Sequence, residues 1–195
     1  MTINYRQDSD RMTHQVWAQR QAASCAIACI WMARNQAKQM TFNEGEWSIA
    51  TRLYRNVVDQ MDLSPPPSSP MCLAPSAHQN NQSSFGNMFS QFGTYMGQVG
   101  QQLKNDGLRV TRLTQFARGT AVDPRRLSDT TPAIVLLGWY QGNTRNGGHF
   151  IVASKRASSG QIVYLDPWGG RLIEMGAGPQ YDGTGRFEQV MYIAA

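Results

Sequence analysis

Cysteine is scarce in this 195-residue chain, charged side chains make up only 16% of it, and no apolar run reaches the length of a membrane-spanning helix. The three cysteines, Cys25, Cys29 and Cys72, cannot all pair with one another. No Cys-x-x-Cys occurs and no matched His pair accompanies them, which argues against a structural zinc site and against a disulfide framework. Free thiols in a reducing compartment, one of them reactive, are expected instead. The segment Met1 to Met12 is polar and has no apolar h-region, so no Sec-type signal is expected. A cytoplasmic protein, or one that leaves by a signal-peptide-independent route, fits that reading.

Charge of one sign is also thinly spread. The net charge is +5, with the excess distributed over Arg6, Arg11, Arg20, Arg34, Lys38, Arg52 and beyond, and Arg125-Arg126 is a tight pair. A basic stripe interleaved with aromatics is missing, so no nucleic acid is expected as partner, whereas a partner with acidic patches is compatible. Gly86, Gly93, Gly97 and Gly100 are not followed by Lys-Ser/Thr and make no phosphate loop. No cofactor and no metal are expected.

What is present divides the chain in two. Residues 1–18 read as a polar arm, with His14 in solvent. From Ser24 onward, Cys25 to Ala33 is almost uniformly apolar and predicts a helix buried on most faces, with Arg34, Asn35 and Lys38 at its end. A second helix follows Asn43 and carries Trp47, Ile49, Ala50, Leu53, Tyr54 and Val57, with Glu44 and Glu46 as its acidic first turn. Residues 63–84 gather five prolines and then a Gln/Asn/Ser tract, the composition of a loop, and His78 within it is expected to be solvated. Apolar residues from Phe85 to Leu103 recur at helical spacing and end at Asn105-Asp106-Gly107. After that come short β patterns: Val110 to Leu113, Ala133 to Tyr140, Phe150 to Ser154, Ile162 to Leu165, Leu172 to Met175 and Phe187 to Ile193. Turns rich in Gly, Asn and Ser separate most of them, Asn146-Gly147-Gly148 included, which predicts an antiparallel meander. The expected fold is a single α+β domain over 1–195, with a helical lobe (1–106) against a sheet lobe (107–195).

Chemistry enters at a thiol. Cys25 opens the predicted helix behind Ser24, a residue suited to the N-cap, and the positive end of a helix dipole favours a thiolate there. Cys29, one turn further in, is expected to be buried, and Cys72 lies in the proline-rich loop. His149 enters one strand and Asp166 ends the next, so a hairpin sets base and carboxylate side by side. In acyl transfer the oxyanion needs donors, and the backbone N–H of Cys25 with the Gln19 amide would supply two. Asp166→Asn is expected to lower activity while leaving stability nearly unchanged. Trp168 is expected to shield the His–Asp pair or fill core, and it stands with Gly148 as a candidate substrate contact.

The order Gln19, Cys25, His149, Asp166 resembles that of the papain-like (clan CA) cysteine peptidases. The segments Pro132-Ala133-Ile134-Val135, Gly148-His149-Phe150-Ile151-Val152 and Val163-Tyr164-Leu165-Asp166-Pro167-Trp168-Gly169-Gly170 look most like the C39-like peptidases and the bacterial papain-like effector proteases. The likeness covers roughly residues 15–35 and 107–175. Around the thiol the chain reads Ala23-Ser24-Cys25-Ala26-Ile27, without the Cys-Gly-Ser-Cys-Trp of plant-type papains, and with Ala26 where C39-like members commonly place Gly. The resemblance implies a helical lobe bearing Cys25, a sheet lobe bearing His149 and Asp166, and hydrolysis of a protein or peptide by a Cys-His-Asp triad. Deamidation of glutamine and cleavage of a peptidoglycan amide use the same machinery, and a binding module on the same scaffold is the non-enzymatic alternative. By analogy with the effectors it would be a secreted toxin or virulence protein, with a chaperone or immunity protein as partner.

Overall fold

The computed structural model describes residues 2–20, 23–60 and 94–195. The proline-rich loop, Cys72 and the predicted helical residues from Phe85 to Phe92 lie outside them. The described chain runs β1 (Thr2–Gln7), β2 (Thr13–Ala18), α1 (Cys25–Lys38), α2 (Glu46–Gln60), α3 (Met96–Asn105) and β3 (Arg109–Leu113). A 3-10 turn (Pro124–Arg126) and then β4 (Ala133–Gln141), β5 (Thr144–Arg156), β6 (Ile162–Asp166), β7 (Arg171–Met175), β8 (Gln180–Tyr181) and β9 (Gly185–Ala194) complete it. The fold is α+β, with a seven-stranded antiparallel sheet in the order β3-β9-β4-β5-β6-β7, β8 pairing with β9.

Helix α1 is the central element. Ala and Met favour it intrinsically, and burial overrides the weaker helix propensity of Ile27, Ile30 and Trp31. All three are fully buried, each contributing roughly 1.5–3 kcal/mol by leaving water. Gln39 ends the helix in the left-handed region (φ 51°), and its N–H turns back to the carbonyls of Asn35 and Gln36. Ile134, Leu136, Phe150, Val152, Val163 and Leu165 face α1 in one core, whereas Val135, Leu137, Ile151, Ala153 and Tyr164 lie in a second core on the other side. Burial on both faces is why Ala133 to Leu137 reads as an unbroken apolar run. Helix α3 ends as expected at Asp106 and Gly107 (φ +79°). Gly100 lets α3 approach β9, because a Cβ there would sit 3.0 Å from Met191 Sδ.

Three expectations are corrected. The first eighteen residues are no solvated arm: β1 and β2 form a hairpin packed on α1, β6 and β7. His14 is half-buried in it and bonds through Nε2 to the buried Asp8 at 2.9 Å. Glu44 precedes α2 rather than opening it; its carboxylate takes the buried Arg34 and also Arg52 (2.8 Å), leaving Glu46 in the first turn. Gly147 and Gly148 are not a turn. They lie inside β5, opposite Trp139 and Gly138, and the chain reverses at Gly142-Asn143.

Candidate active site

His149 sits well inside β5, opposite Leu137 of β4, and not at the start of a strand. The β5–β6 register has Val152 opposite Leu165, so Asp166 is the next residue at the end of β6. Strand alternation puts His149 on the face of Ile151 and Ala153, and Asp166 on the face of Tyr164, which is one side of the sheet. His149 Nε2 meets Asp166 Oδ1 at 2.7 Å, and both residues are buried.

Asp166 holds more than the histidine. Oδ1 also accepts the Trp168 backbone N–H at 2.8 Å, while Oδ2 accepts Arg171 Nη2 and the Tyr181 hydroxyl, each at 2.5 Å. Burial alone would raise the Asp166 carboxyl; the hydrogen bonds from His149, Tyr181 and the Trp168 N–H outweigh it and lower it. The expectation that Asp166→Asn leaves stability unchanged therefore does not hold, since an amide cannot accept from four donors on two sides. Sequence reasoning passed over Arg171 and Tyr181. Arg171 carried a readable signal, an opposite charge facing Asp166 across the Trp168-Gly169-Gly170 turn. Tyr181 arrives from β8 with no local signature. Trp168 does not fill core: it is 59% exposed, its ring edge-on to the imidazole at 6.2 Å between centroids.

Cys25 is the first residue of α1, with Ser24 at the N-cap, although the serine side chain makes no capping bond. The thiol stands close enough to His149 to act on its ring. Because Nε2 is taken by Asp166, Nδ1 is the ring nitrogen left for the sulfur. Burial would lower the His149 pKa, but the bond to Asp166 and the neighbouring Cys25 overcome it and raise the ring to about 9. Cys29, one turn deeper, has no exposure, and burial, with the charges of Cys25 and Asp166, pushes its thiol well above its ordinary value.

The raised histidine has a consequence for stability. A proton held more tightly in the folded than in the unfolded protein stabilises the fold fully below pH 6.5, and that contribution is lost as pH rises through about 9. Thermal unfolding between pH 6.5 and 9 is expected to show a decline of up to about 3 kcal/mol, absent in His149→Gln. A flat profile across that window in the wild-type chain would contradict it.

Beside Cys25 a cleft of about 480 Å³ opens between the helices and the sheet, lined among others by Met96, Phe116, Leu136, Arg145, Gly148 and Phe150. Cys25 and Gly148 thus border the same cleft. Gln19 follows β2, half-buried, and its backbone N–H donates to Pro167 O at 2.9 Å, which ties it to the residue after Asp166. Gln21 lies outside the described residues. No cluster of three or more His, Cys, Asp or Glu among the described residues is arranged to hold a metal, and no helix among them is long and apolar enough to cross a membrane. No protein-family model matches the chain, and no curated protein matches it either.

Proposed function

We propose that the chain is a papain-like cysteine hydrolase that cleaves peptide bonds of a protein or peptide substrate. One observation carries the reading: His149 is hydrogen-bonded to Asp166 and stands close enough to Cys25 for the thiol to act on its ring, and the thiol faces an open cleft from the first turn of a buried helix. His149 takes the thiol proton, and the sulfur attacks the substrate carbonyl as thiolate. The oxyanion is received by the Cys25 N–H and the Gln19 side-chain amide. His149 then gives its proton to the leaving amine, which departs from the acyl-enzyme. Water, deprotonated by the same ring, releases the acid and restores the thiol. Asp166 keeps Nε2–H in place so that Nδ1 faces the sulfur, and Trp168 screens that bond from solvent.

A library of blocked peptides, read for new amino termini beside released ammonia and peptidoglycan fragments, tests the reaction class. New amino termini that vanish in Cys25→Ala support peptide cleavage. Ammonia without chain cleavage assigns deamidation, and no turnover of any substrate sinks the hydrolase reading. Within it, Gln19→Ala is expected to lower kcat by about 10²–10³ with little change in KM, as removal of one oxyanion donor does. A change confined to KM would make Gln19 a binding residue.

A further inference from the structure

The cleft beside Cys25 is also lined by one member of an ion pair that the reaction above does not use. Glu188 of β9 is fully buried, and its carboxylate takes Arg145 in a fork, Nε to Oε1 at 2.7 Å and Nη2 to Oε2 at 2.9 Å, with the Tyr140 hydroxyl donating to Oε1 at 2.7 Å. Two glycines facing each other across β4 and β5 make room for it. A Cβ on Gly138 would lie 2.1 Å from Glu188 Oε1, and one on Gly148 would lie 2.5 Å from Arg145 Nη2. The slot directs the guanidinium to the cleft shared with Cys25, and the Arg145 side chain is 39% exposed there. Arginine has five N–H donors, and Glu188 takes two, so three remain to face the cleft.

We infer that Arg145 is a specificity-determining residue that receives an acidic side chain of the peptide substrate. The inference rests on the hydrolase reading above and names its substrate class. Charge selects an acid over a base. Among the described residues no Asp or Glu lines the cleft, and Glu188, with three donors on its two oxygens, lies behind the guanidinium. The hydrogen bonds to Glu188 raise the Arg145 pKa, so the guanidinium stays charged at every pH of use. Next to it Met96, Leu136, Phe150 and the half-exposed Phe116 form an apolar floor, which fits an apolar or aromatic side chain beside the acid. A carboxylate on the free N–H groups forms charge-assisted bonds, whereas the neutral amide of Gln or Asn does so only weakly.

The test separates binding from turnover. A positional library of blocked octapeptides is bound to Cys25→Ala protein and the retained peptides are read by mass spectrometry. Expected is enrichment of Asp or Glu at one position, beside an apolar or aromatic residue. Because Arg145→Ala alone would leave a buried carboxylate unpaired, the variant is the double exchange Arg145→Gln with Glu188→Gln. It should reduce affinity for the acidic peptides about tenfold or more while keeping the apolar preference. Arg145→Lys, which keeps the charge and loses the fork, should fall between them and serves if the double variant does not fold. Unchanged acid preference in either variant, or enrichment of neutral or basic residues at every position, overturns the inference. Wild-type cleavage without acid preference would leave the hydrolase reading standing and remove this one; acid-selective binding without wild-type cleavage would do the reverse.

Discussion

Replacing Cys25 with alanine is expected to lower peptide hydrolysis by about 10⁶, to the limit of detection, because residues acting as one catalytic unit fail together. The fold should persist. The exchange removes one sulfur from a residue at the edge of the core, 8% exposed, at a cost of about 1 kcal/mol. Cys29→Ala is the matched control. It empties a site with no exposure in the core beneath α1, so it should cost more stability than Cys25→Ala and leave kcat within a few-fold. Progress curves and thermal melts of both variants check this. Full turnover in Cys25→Ala, or loss of turnover in a folded Cys29→Ala, would show that the wrong thiol has been assigned.

The next largest effect belongs to Asp166→Asn. The amide can no longer accept on both sides, so either the His149 and Trp168 donors or the Arg171 and Tyr181 donors face an N–H₂ group. Activity is expected to fall by about 10⁴, because the wrong imidazole tautomer is favoured. Stability is expected to fall by about 3 kcal/mol from the broken buried pair, reduced where Arg171 reaches solvent. Measuring kcat well below the melting temperature separates the two losses. Tyr181→Phe offers a milder case: it removes one donor and leaves the charge, so it should move the pH profile of kcat/KM more than the fold. An Asp166→Asn protein with wild-type kcat would remove the carboxylate from the reaction.

The same geometry shows how far the sequence could be read. Strands β4, β6, β7 and β9 were legible because apolar runs of strand length are bounded by Gly, Asn and Ser, and the spacing of His149 and Asp166 over one hairpin brings them together. Helix α1 was legible from Cys25 to Ala33 because almost every side chain is apolar. Gly147-Gly148 misled for a physical reason: glycine marks a turn and a close approach with the same residue, and here Gly148 and Gly138 make room for Arg145 and Glu188 inside the strands. Hairpin β1–β2 was hidden because Thr2–Gln7 is polar and the chain reverses over Asp8 to Met12 without glycine, Arg11 adopting a φ of 64°. Its hold on the rest is long-range, Asn4 Nδ2 reaching the carbonyls of Gly169 and Gly170, each at 3.2 Å. Glu188 and Tyr181 approach their partners from strands distant in sequence, and no local pattern announces such contacts.

The central claim is that the thiol of Cys25 is activated by His149, and the rate of alkylation at each cysteine tests it most directly. The chain is treated with iodoacetamide at a series of pH values, and modification at Cys25, Cys29 and Cys72 is followed by mass spectrometry in the wild-type and His149→Ala proteins. Cys25 is expected to label fastest and already at neutral pH, Cys29 not at all while the protein stays folded, and His149→Ala should slow Cys25 to the rate of an ordinary thiol. Labelling of Cys25 at neutral pH no faster than that of a free cysteine, or at a rate untouched by His149→Ala, would contradict the account.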